Sequence, residues 1–324
     1  MENDGVTIAD GAVIAVPASV ANLGPGFDTL AVAVQLYLRV RIVDVRADGR
    51  GEVTVRRGQP PVPAENGVER AYRSLAGRAP GGLPSVVIDV ESDIPIGAGL
   101  GSSAAATVAG LRLFEHCVAP LSSQGVLDAA CALEGHPDNA AAALCGGLAA
   151  ALQHEDGTVS VVSFEWPSDI RFLIATPDRA LRTEVARRVV PATLSRADAV
   201  FNLQRVVRLL HAVGISAASS GTTGGSTGER AAWREALKDR WHQPARAALI
   251  PELAPALALD DPDLLGVCLS GAGPSIVALA RRGLDRVAAR LERVYRDCGS
   301  TVTIRNVCAE PSRVVTPALA SRGR

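Results

Sequence analysis

The sequence predicts an α+β protein built from two domains, and three observations predict it. A length of 324 residues suits two domains or one large one. Alternating apolar runs such as Leu36 to Val45 and Ala/Leu-rich runs such as Ala104 to Phe114 require both strands and helices. Trp166-Pro167 then breaks the chain near its middle. The expected domains are residues 1–165 and 166–312, with 313–324 as a disordered tail.

Composition narrows the function. Apolar residues make up 48% of the chain and aromatics only 3%, so Ala, Val and Leu must fill the core. A formal charge of −1 argues against nucleic acid or an anionic membrane surface as partner. No C-x-x-C pair occurs among the six cysteines, which argues for reduced, buried thiols and against a zinc site. The acidic start M-E-N-D-G lacks a signal-peptide core, and no apolar run reaches the length of a membrane span. A cytoplasmic protein is expected.

In chain order, Val13 to Val16 reads as a short strand. Pro17 to Asp28, P-A-S-V-A-N-L-G-P-G-F-D, reads as a structured loop whose polar groups are Asn22 and Asp28. Both could simply satisfy their own turn. Leu36 to Val45 reads as a strand and Gly51 to Arg56 as its partner, followed by a proline-rich loop and a helix over Val68 to Ala76. Asn66 fits the N-cap of that helix.

Val86 to Val90 is a strand, and after a short acidic link comes Pro95-Ile96-Gly97-Ala98-Gly99-Leu100-Gly101-Ser102-Ser103, which opens the helical run of Ala104 to Phe114. Glycines here let backbone N–H groups approach a ligand. The helix start adds unpaired N–H groups and about half a positive charge. Such a loop is an anion site, most often for phosphate. A plain glycine turn with a serine cap explains three alternating glycines, two serines and three alanines less well. The loop is not a nucleoside-triphosphate P-loop, since the single lysine, Lys238, lies elsewhere. Nor is it a dinucleotide fingerprint, whose third glycine position holds Ser102.

Gln124 to Leu133 reads as a helix leading into E-G-H-P-D-N, Glu134 to Asn139. That cluster suits either a helix N-cap or a metal site, although it lacks the i, i+4 histidine spacing. Gly146 to Leu152 and Thr158 to Phe164 form a strand pair. Arg171 to Ala175 opens a new strand. Leu181 to Val190 follows as a helix capped by Thr183 and stopped by Pro191, with Arg187 on the face of Thr183. An arginine in that place is by itself a solvated charge. Ala199 to Leu210 is an amphipathic helix, and Gly214 to Gly228 a Gly/Ser/Thr-rich flexible loop. Arg234 to Leu249 contains D-R-W-H-Q-P-A-R. Gly266 to Leu269 and Ile276 to Leu279 are strands flanking S-G-A-G-P-S, Ser270 to Ser275, which could be a hairpin turn. Leu284 to Arg296 reads as a helix and Thr301 to Val307 as the last strand.

The motif P-x-G-A-G-L-G-S-S-A-A resembles the phosphate-binding motif of the kinases of galactose, homoserine, mevalonate and phosphomevalonate, the GHMP kinases. P-A-S-V-A-N-L-G-P-G-F-D, E-G-H-P-D-N, D-R-W-H-Q-P-A-R and S-G-A-G-P-S extend the resemblance over nearly the whole chain, and toward the homoserine kinases. The resemblance implies the GHMP-kinase fold, a nucleotide-binding α+β domain followed by a ferredoxin-like α+β domain. It implies ATP and Mg²⁺ as cofactors and a homodimer as one arrangement. Its ATP-binding residues would be Asn66, Val68, Pro95, Gly97, Ala98, Gly99, Leu100, Gly101, Ser102 and Ser103. Ser103 and Glu134 would hold the metal. One departure is that Glu134 stands closer to Asn139 than in longer family members, which makes Asp128 the second metal candidate. Asn22, Asp28, His136, Asn139, Thr183, Arg187, Arg246 and Gly271 would bind substrate, with Asn139 and Arg187 catalytic. Where mevalonate kinase has a catalytic Asp, this sequence has Asn139.

The implied reaction is ATP + L-homoserine → ADP + O-phospho-L-homoserine, a step toward threonine. Asp28 would face the substrate ammonium and Arg246 its carboxylate. A related kinase for threonine, serine or another amino alcohol fits the same pair. A non-catalytic binding relative would have lost the glycines or Glu134, and both are present.

Overall fold

A computed structural model describes residues 11–63, 66–218 and 227–313. The first part of the chain runs β1 (Val13–Ala21), β2 (Leu30–Arg46), β3 (Val53–Gln59), α1 (Gly67–Ser74), β4 (Ser85–Ser92), α2 (Ser102–Cys117), α3 (Ser123–Glu134), α4 (Asp138–Cys145), β5 (Leu148–Gln153) and β6 (Val159–Phe164). Its sheet has the order β3-β4-β2-β5-β6, with β1 also on β2. The 17 residues of β2 are the spine. They pair antiparallel with β1 along Ala31 to Arg41, with β4 along Leu38 to Arg46 and with β5 along Leu30 to Val32.

Two sequence expectations change here. Gly51 to Arg56 does not pair with β2: β3 lies parallel on β4, Val53 opposite Val86 and Val55 opposite Ile88. The loop expected from Pro17 is strand as far as Ala21. The register of β1 shifts between Pro17 and Ala18, and a proline is tolerated because, among the described residues, β1 pairs with β2 alone.

The second part runs β7 (Arg171–Pro177), α5 (Thr183–Arg188), α6 (Arg196–Ala218), α7 (Thr227–Ala236), α8 (His242–Arg246), α9 (Leu253–Leu257), β8 (Leu264–Leu269), β9 (Ile276–Ala280), α10 (Leu284–Asp297) and β10 (Val302–Val307). Its antiparallel sheet has the order β10-β7-β9-β8. A strand, a helical crossover, a hairpin, a helix and a closing strand in that order make a ferredoxin-like arrangement. The helix α10 shows why it packs: Val287, Leu291, Val294 and Tyr295 fall on one stripe and are buried. Residues 214–218, expected in a flexible loop, continue α6, and α7 begins at Thr227. The rest of that loop, 219–226, and residues 314–324 of the expected tail lie outside the described residues, while Arg313, expected to begin the tail, donates to the Cys145 carbonyl and to Glu310. Thr183 is the first residue of α5, not its cap, and Arg182 at the cap position makes no side-chain capping bond.

The hydrophobic interior does not stop at the expected boundary. One core joins the first sheet and its helices to Phe172, Ile174, Trp233, Val277 and Leu279 of the second part. Trp166 is its hinge pin, 4.9 Å from the Phe172 ring and 5.6 Å from Trp233. The opposite face of the second sheet has its own core with α9 and α10. Helix α2, apolar and small on nearly every side, is the centre of the first part. Its Gly110 lets α1 approach so closely that a Cβ would lie 2.2 Å from the Val68 carbonyl oxygen. No helix among the described residues is long and apolar enough to cross a membrane.

Candidate active site

The glycine loop links β4 to α2 and ends with Gly101 at the helix cap, in the left-handed region at φ 70°. No side chain caps this helix, so its first N–H groups remain directed at the cleft. The space freed by the glycines is occupied by protein. A Cβ on Gly99 would lie 2.3 Å from the Ser270 carbonyl oxygen and 2.7 Å from that of Gly273. The Ser270–Ser275 turn between β8 and β9 is therefore pressed into the loop. Ser270 Oγ donates to the Gly99 carbonyl at 2.7 Å, and Ser275 N–H to the Ala98 carbonyl at 3.2 Å. The β1–β2 loop joins from the other side. Gly271 N–H donates to the Ala21 carbonyl at 3.1 Å, and Asn22 Nδ2 to the Gly271 carbonyl at 3.0 Å. Three segments distant in sequence are thus sewn into one floor.

Above that floor lies a cavity of about 350 Å³ lined by Asn22, Asp28, Gly97, Gly99, Leu100, Gly101, Ser102, Ser103, Glu134, His136, Asn139, Thr183, Arg187, Arg246 and Gly271. A second cavity, about 870 Å³, is walled by Pro60, Pro61, Val62, Pro63, Val90, Ile94 and Ile96, and includes Asn66 and Val68. The two share Ser102, Ser103, Arg70 and Glu184. The long, largely apolar cavity therefore meets the polar one at the start of α2. Pro95 and Ala98 line neither, and Ala98 is buried beneath the turn.

Asn66 is the cap of α1, its Oδ1 accepting from Val68 N–H at 3.0 Å. Its Nδ2 is buried without a hydrogen-bond partner among the described residues, while the residue faces the larger cavity. Capping and ligand contact are thus compatible, because they use opposite ends of the amide.

Glu134 ends α3 beside α2. Its Oε1 accepts from Ser103 Oγ at 3.1 Å, from Thr107 Oγ1 at 2.6 Å and from Arg70 at 3.4 Å. Asp128 points away, accepting from Gln124 Nε2 at 2.9 Å and Val159 N–H at 3.0 Å, and it lines neither cavity. His136 Nδ1 lies 2.9 Å from the buried carboxylate of Asp138. Burial works against the imidazolium, but the Asp138 hydrogen bond and charge outweigh it and raise the pKa.

On the opposite wall, Arg187 of α5 makes two hydrogen bonds to Asp28, 3.0 and 2.7 Å. That bond holds the Arg187 guanidinium above its usual pKa, against the opposing effect of burial. Arg246 of α8 is buried, and its guanidinium donates to the carbonyls of Ala186 (3.2 Å) and Gly271 (2.9 Å) and to His242 Nδ1 (3.0 Å). None of these acceptors is a carboxylate. Burial and then repulsion from Arg187 lower its pKa to about 10, so it stays cationic at neutral pH. A buried cation whose hydrogen-bond acceptors are neutral, with the nearby Asp28, Asp239 and Asp138 acting on it only through space, suits an anion as a direct partner. Phe27 packs under both arginines, 5.8 Å from Arg187 and 5.4 Å from Arg246.

Sequence reasoning missed Ser19, Thr107, Arg70 and His242. Thr107 carried a signal, a lone hydroxyl in an otherwise apolar stretch of α2. Arg70 lies four residues after Asn66, on the turn of α1 above the cap, and only the packing of α1 on α2 brings it to Glu134.

An apolar slot opening onto an uncapped helix start, with carboxylate, hydroxyl and guanidinium groups around it, is the arrangement of an ATP-dependent small-molecule kinase. The family descriptions "GHMP kinases N terminal domain" and "GHMP kinases C terminal" match residues 66–147 and 228–297. Homoserine kinase of Solibacter usitatus is 37% identical over 290 residues, covering 87% of this chain and 89% of that one. Homoserine kinase of Microchaete diplosiphon is 35% identical over 307 residues, covering 93% and 96%. The crystal structure of homoserine kinase from Cytophaga hutchinsonii superposes with a TM-score of 0.75 at 24% identity, over 96% of this chain and 98% of that one, and so shares the fold. The chain belongs to the homoserine kinase family.

Proposed function

We propose that this enzyme transfers the γ-phosphoryl group of ATP to the side-chain hydroxyl of L-homoserine, giving ADP and O-phospho-L-homoserine. The observation that carries the reading is that Asp28, Arg187 and Arg246 converge on the cavity at the start of α2. An α-amino acid carries one ammonium and one carboxylate. Asp28 and Arg246 supply the matching charges, and both are held in place by hydrogen bonds.

The N–H groups at the start of α2 cradle the phosphates, and the proline-walled cavity takes the base and ribose. Asn66 Nδ2 offers the base a donor. The site fits Mg²⁺ by its chemistry: Ser103 Oγ and Glu134 Oε1 are hard oxygen donors 3.1 Å apart at the junction of the cavities. Mg²⁺ uses one or two protein oxygens and fills the rest of its shell with phosphate and water. When bound, it neutralises charge on the β- and γ-phosphates. Thr107 and Arg70 orient Glu134 for that role.

Arg187 has two uses. Without substrate it is matched by Asp28. An ammonium arriving at Asp28 supplies a second cation to that carboxylate and frees an Arg187 N–H for the γ-phosphoryl oxygens. Asn139 faces the attacking hydroxyl. A carboxamide cannot act as a base, so the hydroxyl proton leaves late, to a phosphate oxygen or water. A loose transition state needs little more activation of the nucleophile. We place the enzyme in the cytoplasm, where its six free cysteines stay reduced.

The test is ADP release measured with homoserine, threonine, serine, mevalonate and galactose as acceptors. The reading expects homoserine to have the highest kcat/KM. A higher value for any other acceptor would overturn it.

A further inference from the structure

Beneath the phosphate loop, Ser19 of β1 is 1% exposed. Its hydroxyl donates to Asn139 Oδ1 at 2.7 Å, and its N–H donates to the Leu100 carbonyl at 3.1 Å. The space around this bond is kept open by Gly101. A Cβ there would lie 2.3 Å from Ser19 Oγ and 3.1 Å from Asn139 Oδ1. The main chain of Asn139 is held as well, by Asp138 Oδ1 accepting its N–H at 2.8 Å.

The two ends of a carboxamide are chemically opposite, one an acceptor and the other a double donor. Oδ1 is engaged by Ser19 on the buried side. Nδ2 makes no hydrogen bond among the described residues, and Asn139 lines the cavity.

Building on the kinase reading, we propose that Ser19 is a positioning residue: it pins the Asn139 amide so that Nδ2, and not Oδ1, is presented to the reacting oxygens. The consequence concerns charge. Negative charge is spread over the γ-phosphoryl oxygens throughout the transfer. A fixed N–H donor aimed at those oxygens stabilises that charge without reorganising. An amide free to rotate would spend part of its time turning an oxygen toward an anion. The Ser19 hydroxyl, donating to Oδ1 in a bond buried beneath the loop, favours the conformer with Nδ2 in the cleft.

The experiment is steady-state kinetics and thermal melting on S19A, N139A, the S19A/N139A double variant and N139D, with ATP and homoserine each varied. S19A is expected to lower kcat about ten- to a hundred-fold, the range for a misplaced catalytic group, with little change in KM for ATP. In the N139A background the same S19A change is expected to have no further effect on kcat, because there is no amide left to orient. N139D keeps the shape but replaces the cleft-facing donor with a charged acceptor, and is expected to be slower than N139A. Three results would overturn the proposal: unchanged kcat in S19A, an equal fold-loss from S19A with and without Asn139, or N139D at or above wild-type rate. N139D decides the matter if S19A fails to fold. If wild type instead prefers another acceptor from the panel, the homoserine reading falls, and the four variants are compared with that acceptor.

Discussion

Asp28 and Arg187 clasp each other across the cleft, a carboxylate from the β1–β2 loop against a guanidinium from α5, through hydrogen bonds of 3.0 and 2.7 Å. Asp28 is presented by its backbone. It sits at φ 52°, and its N–H donates to Asn22 Oδ1 at 3.1 Å, while Asn22 is anchored to Gly271. The pair is about one third exposed on both sides, so its net contribution to stability is small. Both residues line the polar cavity, and the proposed function gives the pair its role there.

That position makes Asp28→Asn informative. Asn accepts the left-handed backbone as readily as Asp, so the substitution removes charge without straining the loop. Loss of one charge-assisted contact to the ammonium amounts to roughly 1.5–3 kcal/mol, so kcat/KM for homoserine should fall about ten- to a hundred-fold. Affinity for ATP should change far less. A lowered melting temperature with unchanged relative kinetics would make Asp28 a structural turn residue and put the amino-acid site elsewhere.

Glu134→Gln should raise the Mg²⁺ concentration needed for half-maximal rate and cut kcat strongly, since Gln keeps the shape but not the charge. Asp128→Asn should leave both untouched and cost at most about 1 kcal/mol of stability, because it alters only the bonds to Gln124 and Val159. Mg²⁺ titrations of the two variants side by side check this. The opposite ranking would move the metal site to Asp128.

The glycine loop separates packing from chemistry. Gly99→Ala places a methyl 2.3 Å from a backbone oxygen that cannot move without shifting the β8–β9 turn. It should therefore lower the melting temperature by several degrees as well as impair activity. Ser103→Ala, on an exposed hydroxyl in the first turn of α2, should leave melting within a degree or two and reduce kcat at limiting Mg²⁺. If Gly99→Ala melts like wild type and loses only nucleotide affinity, the loop is less tightly docked on the second sheet than its contacts require.

Local chemistry was legible in the sequence and partnership was not. The strand–glycine loop–helix order could be read from Val86 to Phe114 because periodicity and glycine spacing are local signals. The pairing of β3 could not, since nothing in Val53 to Gln59 distinguishes a parallel neighbour from an antiparallel one. Residues 214–218 read as loop because glycine and serine lower helix propensity, yet they extend a 23-residue helix with a buried Ser216. In the site, Asn22, Asp28, Gly97, Gly99, Gly101, Glu134, Asn139, Arg187 and Arg246 line one cavity, while Asn66 and Val68 line the other and Pro95 and Ala98 line neither. Ser19, which holds Asn139, gave no signal because the two lie 120 residues apart. His242 stands four residues before Arg246 in the same motif, but the Gly24 carbonyl that engages its other nitrogen lies 218 residues away.

His242 leads to a prediction about acid stability. It is fully buried, its Nε2 2.7 Å from the Gly24 carbonyl and its Nδ1 facing an Arg246 N–H at 3.0 Å. One nitrogen donates and the other accepts, which describes a neutral ring. Burial lowers the pKa to about 4, with Arg246 acting in the same direction against the opposing charge of Asp239. The unfolded chain binds the proton more readily, near pH 6.5. Stability from this group is therefore fully present above pH 6.5 and declines as pH falls toward 4, by on the order of 3 kcal/mol in all. His136 has the opposite sign: its raised pKa makes its contribution complete below pH 6.5 and lost as pH rises above it. Of these two histidines, His242 is the one that loses stability as pH falls from 6.5 to 5. His242→Asn should be less stable than wild type at pH 7.5, having lost packing against Phe27. It should also lose less stability than wild type on acidification to pH 5. Urea midpoints at five pH values for both proteins measure this, and parallel curves would mean that His242 is not held neutral by the site. The same variant should raise KM for homoserine more than KM for ATP, since Arg246 loses the acceptor that aims it at the cavity.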